Sequence, residues 1–486
     1  MQYRATLWLR DSIRTIPKLQ LRPTQRCRYA TAIDSPELFD VVCVGGGPAG
    51  LSLVVGLRAS KTTSNLKIAL IESLDLDKGR MRNPSPDVYS NRCSSLTPAS
   101  VRYLQEIGAW SHIDISRVQP YQEMQVWDGI TGSRIAFDWE VNTRRDVQPS
   151  TIAYMIENQN LTTALQTYLE KLGDITVISP VRVDSIDLGN STPELDLRSW
   201  PIISLSNGRR IGARLLIGAD GANSPVRTFA GTTSRGWDYN RHGIVATLKL
   251  SGSGWGGEGY KIAYQRFLPT GPVAMLPLPG NMATLVWSTV PERAARLKSI
   301  SKCDFLAMVN AAFRLSPVDL EYMHSVSSGQ QEEFEWRVKH SAADSTKVPM
   351  EVVDVQDGSI ASFPLKMRHA DTYTGERVAL VGDAAHTIHP LAGQGLNQGQ
   401  GDVAALVSTI QAAVETGADI GSTLSLEAYN AKRYAENNAM LGVVDKLHKL
   451  YAVGSGPIVG LRSLGLKAVN EIRPLKKFFM KKAAGV

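Results

Sequence analysis

The stretch FDVVCVGGGPAG, residues 39–50, decides the fold of this 486-residue chain. Its first half is rich in β-branched residues, which is typical of a buried strand, and the glycines that follow open an apolar helical pattern. A second apolar run, residues 67–71, ends at Glu72. Glycines in G-x-G-x-x-G spacing allow the backbone to approach a pyrophosphate, and an acid about 20 residues later binds a ribose diol. The stretch therefore predicts a dinucleotide-binding βαβ unit.

Two later segments repeat the pattern of an apolar strand that ends in glycine and aspartate. Residues 215–221 read LLIGADG, and residues 377–383 read RVALVGD. The second continues as AAHTIHPLAGQGLN to residue 397, and a helical pattern begins near residue 403. Such a turn directs unpaired N–H groups and the positive end of a helix dipole at one point, which favours a negatively charged or electron-accepting group. Taken alone, residues 382–397 also suit an ordinary α/β turn.

Another stretch, GSGWGG at residues 252–257, has the same glycine spacing but a different context. Strand-like segments flank it on both sides, with no helix and no strand that ends in an acid. We interpret it as a hairpin loop. The sequence therefore predicts one dinucleotide domain and no dedicated nicotinamide domain.

The net charge of +7 is concentrated at the two ends of the chain. Residues 1–33 carry +6, residues 461–486 carry +6, and the body between them carries −5. A mildly acidic body argues against nucleic acid as a partner. No apolar run is long enough to span a membrane.

Each end has its own interpretation. Residues 1–33 are rich in arginine and poor in acids, which is typical of a mitochondrial transit peptide, although a disordered basic arm is the alternative. Residues 461–486 interleave apolar and basic residues. Such a segment can lie on an anionic membrane surface or dock as a terminal helix on its own domain.

Metal and disulfide sites are not indicated. The four cysteines are far apart and form no C-x-x-C motif. His386 and His389 are three residues apart, but no third ligand is evident, and packing against the loop is the preferred interpretation.

The order of these motifs resembles that of the single-component FAD aromatic hydroxylases of the para-hydroxybenzoate hydroxylase type. The segments RFLPTGP at 266–272, AAHTIHPLAGQGLNQG at 384–399 and YNAKR at 429–433 are similar to the ubiquinone-biosynthesis branch of that family. The similarity spans roughly residues 38–451. With a transit peptide in front, the chain most resembles the mitochondrial members.

The resemblance implies FAD as the cofactor and gives roles to individual residues. Glycines 45, 47 and 50 would meet the pyrophosphate, Glu72 the adenosine ribose, and Asp383 the ribityl chain or pyrophosphate. Gly393 to Asn397 would meet the flavin pyrimidine edge. The full expected FAD-binding set is Gly45, Gly47, Pro48, Ala49, Gly50, Glu72, Arg92, Asp220, Gly382, Asp383, Gly393, Gly395, Leu396 and Asn397. His389, Pro390 and Gly393 would surround the ring, and no catalytic acid or base is assigned.

The resemblance also implies a reaction. Reduced flavin and O₂ would form a hydroperoxide, and a polyprenylated 4-hydroxybenzoate-type phenol would be hydroxylated on ring carbon 5. Electrons would come from a ferredoxin and its reductase. The protein would lie peripherally on the matrix side of the mitochondrial inner membrane with other ubiquinone-biosynthesis proteins. Alternatives are an NAD(P)H-dependent hydroxylase of small soluble phenols and a structural subunit of a membrane complex.

The expected fold is α/β with α+β elements. A Rossmann-like FAD-binding domain is interleaved with an antiparallel substrate-binding sheet and followed by C-terminal helices. The expected segments are 1–33 transit peptide, 34–110 first FAD-binding part, 111–214 mostly substrate-domain sheet and helix, 215–235 second FAD-binding part, 236–365 substrate-binding sheet, 366–425 third FAD-binding part, and 426–486 C-terminal helices with the basic tail. The polar stretch 328–358 is expected to be a surface insertion. Phe267, Leu268, Met275 and Leu276 would line an apolar channel or simply pack in the core.

Overall fold

The computed structural model describes residues 35–80, 85–138, 151–191, 195–252, 260–340, 348–389, 393–472, 474 and 476. The expected transit peptide, Pro390, and residues 473, 475 and 477–486 of the basic tail lie outside these residues.

Along the chain, strands and helices follow one another in this order: β1 Glu37–Val44, α1 Pro48–Ala59, β2 Ile68–Ile71, β3 Cys93–Leu96, α2 Pro98–Glu106, β4 Gln119–Tyr121, β5 Glu123–Asp128, β6 Arg134–Asp138, β7 Ala153–Glu157, α3 Asn158–Leu172, β8 Ile175–Ile178, β9 Val183–Leu188, β10 Pro201–Leu205, β11 Arg210–Gly218, α4 Pro225–Phe229, β12 Ser234–Leu250, β13 Ile262–Leu268, β14 Gly271–Pro277, β15 Met282–Thr289, α5 Pro291–Ser299, α6 Lys302–Arg314, α7 Pro317–Ser325, α8 Gln330–His340, β16 Val352–Val355, β17 Ala361–Ala370, β18 Thr374–Gly375, β19 Val378–Leu380, β20 His386–Thr387, α9 Gly395–Glu415, α10 Thr423–Ala452 and α11 Pro457–Glu471. Short 3₁₀ turns lie at Ala109–His112, Ile115–Arg117 and Gly382–Ala384.

The first sheet carries the dinucleotide unit. Its strand order is β18-β19-β11-β1-β2-β8, with β10 and β9 continuing from β11. The β1, β2, β8, β11 and β19 strands pair in parallel. Both faces of the central strand β1 are buried from Val41 to Val44, which explains the apolar run at these four residues. The βαβ unit expected from residues 39–72 is confirmed.

The expectation for residues 111–214 is partly wrong. Strands β8, β9 and β10 join the sheet that contains β1, and α3 packs against α1. Only β5 and β6 from this segment enter the larger sheet, while β4 and β7 form a small third sheet with β3. The apolar runs in this segment predict where the strands lie but not which strands pair, because pairing between strands that are distant in sequence leaves little local signal.

The second sheet is the larger one. Its order is β20-β17-β12-β15-β14-β13-β5-β6, with β16 beside β12, and every pair except β13 with β5 is antiparallel. Helices α5 to α8 share one buried apolar cluster with the sheet. Side chains of α10 and α11 share another with β5, β13 and β17. The antiparallel sheet is therefore enclosed by helices.

Two local expectations in this region are wrong. The loop that contains Gly252 is not a hairpin loop, because β12 and β13 are separated in the sheet by β15 and β14. No helix follows it directly, so the described part of this loop forms no second dinucleotide unit. The stretch 328–358 is not only a surface insertion. It contains α8, whose Phe334 is buried, and β16, which extends the second sheet.

Within the described ranges, none of the helices combines the length and the apolar character that crossing a membrane requires.

Candidate functional site

Three loops converge at the carboxyl edge of the first sheet. The register aligns Val44 with Gly218, and Gly218 with Leu380, so β1, β11 and β19 end side by side. Open parallel sheets bind their ligands at this edge. The loops that follow begin at Gly45, Ala219 and Val381, so the three sequence motifs are brought together.

The positions of the first loop are occupied by glycine for different physical reasons. Gly45 has φ of +108°, and a Cβ there would lie 2.2 Å from the Ala219 carbonyl oxygen. A Cβ on Gly50 would lie 1.9 Å from the Gly45 carbonyl oxygen, so this glycine permits close helix–strand packing. A Cβ on Gly47 would meet nothing within 4 Å. The protein itself therefore does not require glycine at Gly47, as expected where a ligand approaches the backbone.

The N-terminus of α1 is open toward this space. Gly47 is its N-cap and supplies no side-chain hydrogen bond, and Pro48 occupies the first turn. Ala49 packs against the first-sheet core from the same turn. Free N–H groups and the helix dipole at this end favour an anion such as a pyrophosphate.

Glu72 lies beside the glycine loop at the end of β2. Its Oε2 accepts a hydrogen bond from the Gly46 amide at 2.6 Å, and its Oε1 accepts one from the Leu74 amide at 2.7 Å. The side chain is only partly buried. A carboxylate fixed in this way has lone pairs left for a diol.

Asp220 follows β11 in the second loop. Its Oδ2 accepts a hydrogen bond from the Val226 amide at 3.2 Å, whereas its buried Oδ1 has no partner among the described residues. Burial raises the pKa of Asp220, and the hydrogen bond with Ser224 opposes that shift. An unpaired buried oxygen is costly unless a ligand donates to it.

Arg227 ties the second loop to the third. Its Nη1 donates to the Ala384 carbonyl and its Nη2 to the Ala222 carbonyl, both at 2.7 Å. Both bonds are to neutral acceptors. Arg227 therefore fixes the relative position of the two loops.

The third loop presents Asp383 to solvent. Gly382 precedes it with φ of +60°, and Asp383 itself lies in a 3₁₀ turn with an exposed side chain. The surrounding protein desolvates the carboxyl group and raises its pKa, and His386 opposes that shift.

A buried network behind this loop was missed by sequence reasoning. Asp402, fully buried in α9, accepts hydrogen bonds from the Gly382 amide at 3.0 Å and from His386 Nε2 at 2.6 Å. Its other oxygen accepts from Arg433 Nε at 2.8 Å and Asn437 Nδ2 at 2.9 Å. Burial opposes ionisation of Asp402, but the charge and hydrogen bonds of His386 and Arg433 outweigh it and lower the pKa. A buried acid thus holds the Asp383 loop to two helices.

One sequence signal could have revealed Asp402. His386 and Arg433 both belong to the motifs quoted above, and buried basic side chains need a buried acid. Of the two acidic residues of α9, Asp402 and Glu415, Asp402 is the nearer in sequence to His386.

Asn397 ends the segment, residues 393–397, that is expected to meet the flavin pyrimidine edge. Its Oδ1 accepts from the Thr97 amide at 2.9 Å and from Ser100 Oγ at 2.8 Å. Its Nδ2 donates to the carbonyls of Ser95 at 2.7 Å and Gly393 at 3.1 Å. The side chain therefore bonds to protein groups near β3 and α2. The groups of this segment that remain for a ligand are those of its backbone.

The same segment begins with Gly393, whose φ is +59°, and α9 starts at Gly395 with Leu396 in its first turn. Gln394 is the N-cap and supplies no side-chain cap to α9. A second uncapped helix N-terminus therefore follows the third loop.

Arg92 directly precedes β3. Its side chain is exposed and has no hydrogen-bond or ion-pair partner among the described residues. Its backbone carbonyl accepts from the Asn158 amide at 2.9 Å. The expected contact of Arg92 with the flavin stays a prediction.

His389 joins an aromatic cluster at the second sheet. Its ring lies 4.9 Å from Tyr239 and 5.1 Å from His448, and Tyr239 lies 4.7 Å from His448. Burial lowers the pKa of His389 to about 3 and lowers that of His448. Both imidazoles are therefore neutral at pH 7. Among the described residues, no group of His, Cys, Asp and Glu has metal-site geometry.

The residues proposed for a tail channel are mostly packed. Phe267 stacks on Tyr451 with ring centroids 3.8 Å apart, and Met275 is fully buried. A groove of about 430 Å³ opens between the β13–β14 turn and α7, and none of the three loops lines it. This packing favours the core alternative for Phe267 and Met275.

These features fit FAD. The space above Gly47 and the open α1 N-terminus suit the pyrophosphate, and Asp220 has a buried oxygen without a partner. Glu72 follows β2 and Asp383 follows β19, so both carboxylates lie at the same edge of the sheet, with the ends of β1 and β11 between them.

Comparisons with known proteins agree with this geometry. The model of the FAD binding domain family matches residues 39–442. The mitochondrial ubiquinone biosynthesis monooxygenase COQ6 of Saccharomyces cerevisiae is 41% identical, covering 94% of this chain and 96% of its own. Its human counterpart is 36% identical, covering 94% and 95%.

Solved structures show the fold. The p-nitrophenol 4-monooxygenase PnpA of Pseudomonas putida superimposes with a TM-score of 0.64 at 18% identity, covering 92% of this chain and 99% of its own. PqsL of Pseudomonas aeruginosa, described as a probable FAD-dependent monooxygenase, gives 0.63 at 18% identity, covering 89% and 100%. The chain therefore belongs to the FAD-binding-domain family of flavin-dependent monooxygenases, within the group formed by the mitochondrial ubiquinone biosynthesis monooxygenases.

Proposed function

We propose that this chain hydroxylates ring carbon 5 of a polyprenylated 4-hydroxybenzoate-type phenol in ubiquinone biosynthesis. The observation that carries the proposal is the 41% identity to a ubiquinone biosynthesis monooxygenase over nearly the whole of both chains. The convergence of three loops on an FAD-compatible edge supports the same chemistry.

In this proposal, the glycine loop and the α1 N-terminus hold the pyrophosphate of FAD, and Glu72 accepts hydrogen bonds from the adenosine ribose. Asp383 accepts hydrogen bonds from the ribityl chain. Bound and reduced FAD supplies the electrons that activate O₂. The hydrogen bonds of Asn397 fix the segment from Gly393, whose backbone amides would meet the flavin pyrimidine edge.

The second sheet supplies the other wall of the site. Its strand β20, at His386–Thr387, continues directly from the Asp383 loop, so the FAD edge and the sheet are joined by a few residues. The chain's own task there is to orient the phenol and exclude water.

The mitochondrial relatives support a mitochondrial location. We further propose a peripheral position on the matrix side of the inner membrane, beside other ubiquinone-biosynthesis proteins. Ferredoxin and its reductase are the proposed electron donors, with O₂ and the prenylated phenol as substrates.

The test is an anaerobic reduction of the chain from residue 34, loaded with FAD. Its flavin absorbance is followed after addition of NADPH, NADH, or ferredoxin with its reductase, each with either a prenylated or a tail-less phenol. Bleaching that requires the ferredoxin system, followed by 5-hydroxylation in air, is the expected result. Rapid bleaching by NADPH with turnover of a tail-less phenol would favour the hydroxylase of small soluble phenols.

A genetic comparison addresses the structural-subunit alternative. Rescue of a deletion strain by a Gly47 or Asp383 variant that binds no FAD would show that flavin chemistry is dispensable. We expect no rescue.

A further inference from the structure

Helix α11 is held firmly on one side. Arg462 donates to both oxygens of Asp128, at 2.9 and 3.0 Å, and both side chains are almost completely buried. The same guanidinium donates to the Leu450 and Val453 carbonyls, at 2.9 and 2.6 Å. Val459 is buried on this side, and α11 contacts β6 at the edge of the second sheet. The helix is therefore fixed in orientation.

The opposite side of α11 is apolar and exposed. The exposed fractions are 44% for Ile458, 67% for Leu461, 64% for Leu464 and 50% for Ile472, the residue that follows the helix. At 3.6 residues per turn these positions lie within about a third of the helix circumference. Exposed Ala468 lies within the same arc. Single exposed leucines are ordinary, but a continuous stripe along one helix marks an interaction surface.

The chain beside and after this stripe is mainly basic, with Glu471 as an exposed acid at the end of the helix. Lys467 is exposed on the helix. The following sequence, RPLKKFFMKKAAGV from residue 473 to residue 486, has five basic residues and no acid. Lys476 forms an ion pair with Asp138 of β6, so the basic sequence begins beside the stripe.

We propose that the outer face of α11 is the surface by which this protein lies on a lipid bilayer, and that the positive charge of the sequence after it favours anionic lipids. An aliphatic stripe inserts among acyl chains while neighbouring lysines meet anionic headgroups. A protein partner fits less well, because hot spots of protein interfaces are enriched in Trp, Tyr and Arg. The side chains of the stripe are all aliphatic.

The position of this surface has a functional consequence. Asp128 ends β5, which pairs with β13, and α11 covers β6 at the same edge of the second sheet. The bilayer would therefore meet the sheet proposed for the substrate and not the edge proposed for FAD. This deepens the proposed membrane location, and it is independent of the ring chemistry.

The test is flotation of the FAD-loaded full chain with vesicles of phosphatidylcholine alone or of phosphatidylcholine mixed with cardiolipin. We expect binding to the mixed vesicles only. The double variant Leu461→Ser with Leu464→Ser should reduce that binding about tenfold or more, because two exposed leucines no longer insert. The matched control is Val318→Ser with Leu424→Ser, since those residues are 79% and 80% exposed elsewhere. The control should bind like the unchanged chain.

A second variant, Lys477→Gln with Lys481→Gln and Lys482→Gln, should remove the preference for cardiolipin. Unchanged flotation of either α11 variant would overturn the proposal. So would a dimer of the full chain that dissociates in the leucine variant without any vesicle binding. FAD content and hydroxylation are measured on the same samples, so a failure of the proposed function is seen separately.

Discussion

At the residue scale, the three glycines of the first loop were predictable, but their separate reasons were not. The G-x-G-x-x-G pattern gives the positions, because a ligand and two backbone contacts all exclude side chains. The structure distinguishes them by what a Cβ would meet. At Gly50 it would meet the protein, and at Gly47 only open space.

Alanine substitutions should therefore separate stability from FAD binding. Gly47→Ala should leave thermal unfolding of the FAD-free protein unchanged, since its φ of −75° suits alanine. It should weaken FAD binding about tenfold or more, which corresponds to about 1.4 kcal/mol. Gly50→Ala should lower the free energy of unfolding by about 1–3 kcal/mol or more, because the added Cβ overlaps a backbone carbonyl.

The matched control is Gly442→Ala in α10, where a Cβ meets nothing within 4 Å. It should stabilise the helix by about 0.5–1 kcal/mol. Binding of FAD to Gly47→Ala with undiminished affinity would contradict the assignment of this space to the cofactor.

Asp402 gives the second prediction at this scale. Asp402→Asn leaves Arg433 buried without its carboxylate, so we expect the free energy of unfolding to fall by about 3–5 kcal/mol. FAD retention should fall with it, because the Gly382 amide loses a charged acceptor. Glu436→Gln is the control, since Glu436 pairs with the same arginine but is 50% exposed. That change should cost at most about 1 kcal/mol.

Urea unfolding measures the loss of unfolding free energy in each of the two variants. Equal losses in Asp402→Asn and Glu436→Gln would show that the buried network does not hold the third loop.

At the element scale, local pattern predicted most strands and failed at their pairing. Residues 39–44, 215–217 and 378–380 were identified as strands from apolar runs, and the structure confirms them. The strands β8, β9 and β10 were expected in the substrate domain but join the first sheet, and β12 and β13 were expected to form a hairpin but are not neighbours. Strand order depends on contacts between distant residues, and no short motif in the sequence encodes it. For the same reason, Asp402 was missed although both of its basic partners were in view.

The anchoring of α11 gives the element-scale prediction. Arg462→Ala leaves the buried Asp128 without its ion-pair partner, so the free energy of unfolding should fall by about 3–5 kcal/mol. Arg198→Ala, which breaks a pair with Asp196 between exposed side chains, should cost at most about 1 kcal/mol. Chemical denaturation measures both.

Adding Asp128→Asn to Arg462→Ala tests the cause. Because the amide carries no charge, the double variant should recover part of the lost stability. If the double variant is as unstable as the sum of both changes, the loss does not come from an uncompensated charge.

At the scale of the whole molecule, buried histidines should set the response to mild acid. Burial lowers the pKa of His324 and of His369 to about 4 and that of His389 to about 3. An unfolded histidine titrates near pH 6.5. Between these values the unfolded chain binds more protons than the native one, so native stability falls as the pH drops from about 6.5 to about 4.

Each histidine contributes at most about 1.4 kcal/mol per pH unit in that range. His324→Phe, in a buried site beside Trp287, should reduce the slope and leave stability at pH 7 little changed. Asp402 affects stability only at lower pH than the histidines do. Its lowered pKa keeps its contribution intact above about pH 4 and removes it only below. The free energy of unfolding, measured from pH 7.5 to 4.5, should therefore change less steeply with pH in His324→Phe than in the unchanged protein. An equally steep change would contradict this assignment.

The most direct test of the central claim is independent of the electron donor. The FAD-loaded protein is reduced anaerobically with dithionite, mixed with a prenylated 4-hydroxybenzoate-type phenol and isotopically heavy O₂, and the product is analysed by mass spectrometry. We expect one heavy oxygen atom on ring carbon 5, and loss of the product in Gly47→Ala in proportion to its FAD content. Reoxidation of the flavin without hydroxylated product, or a product oxygen that comes from water, would contradict the assignment of this chain as a ring-hydroxylating monooxygenase.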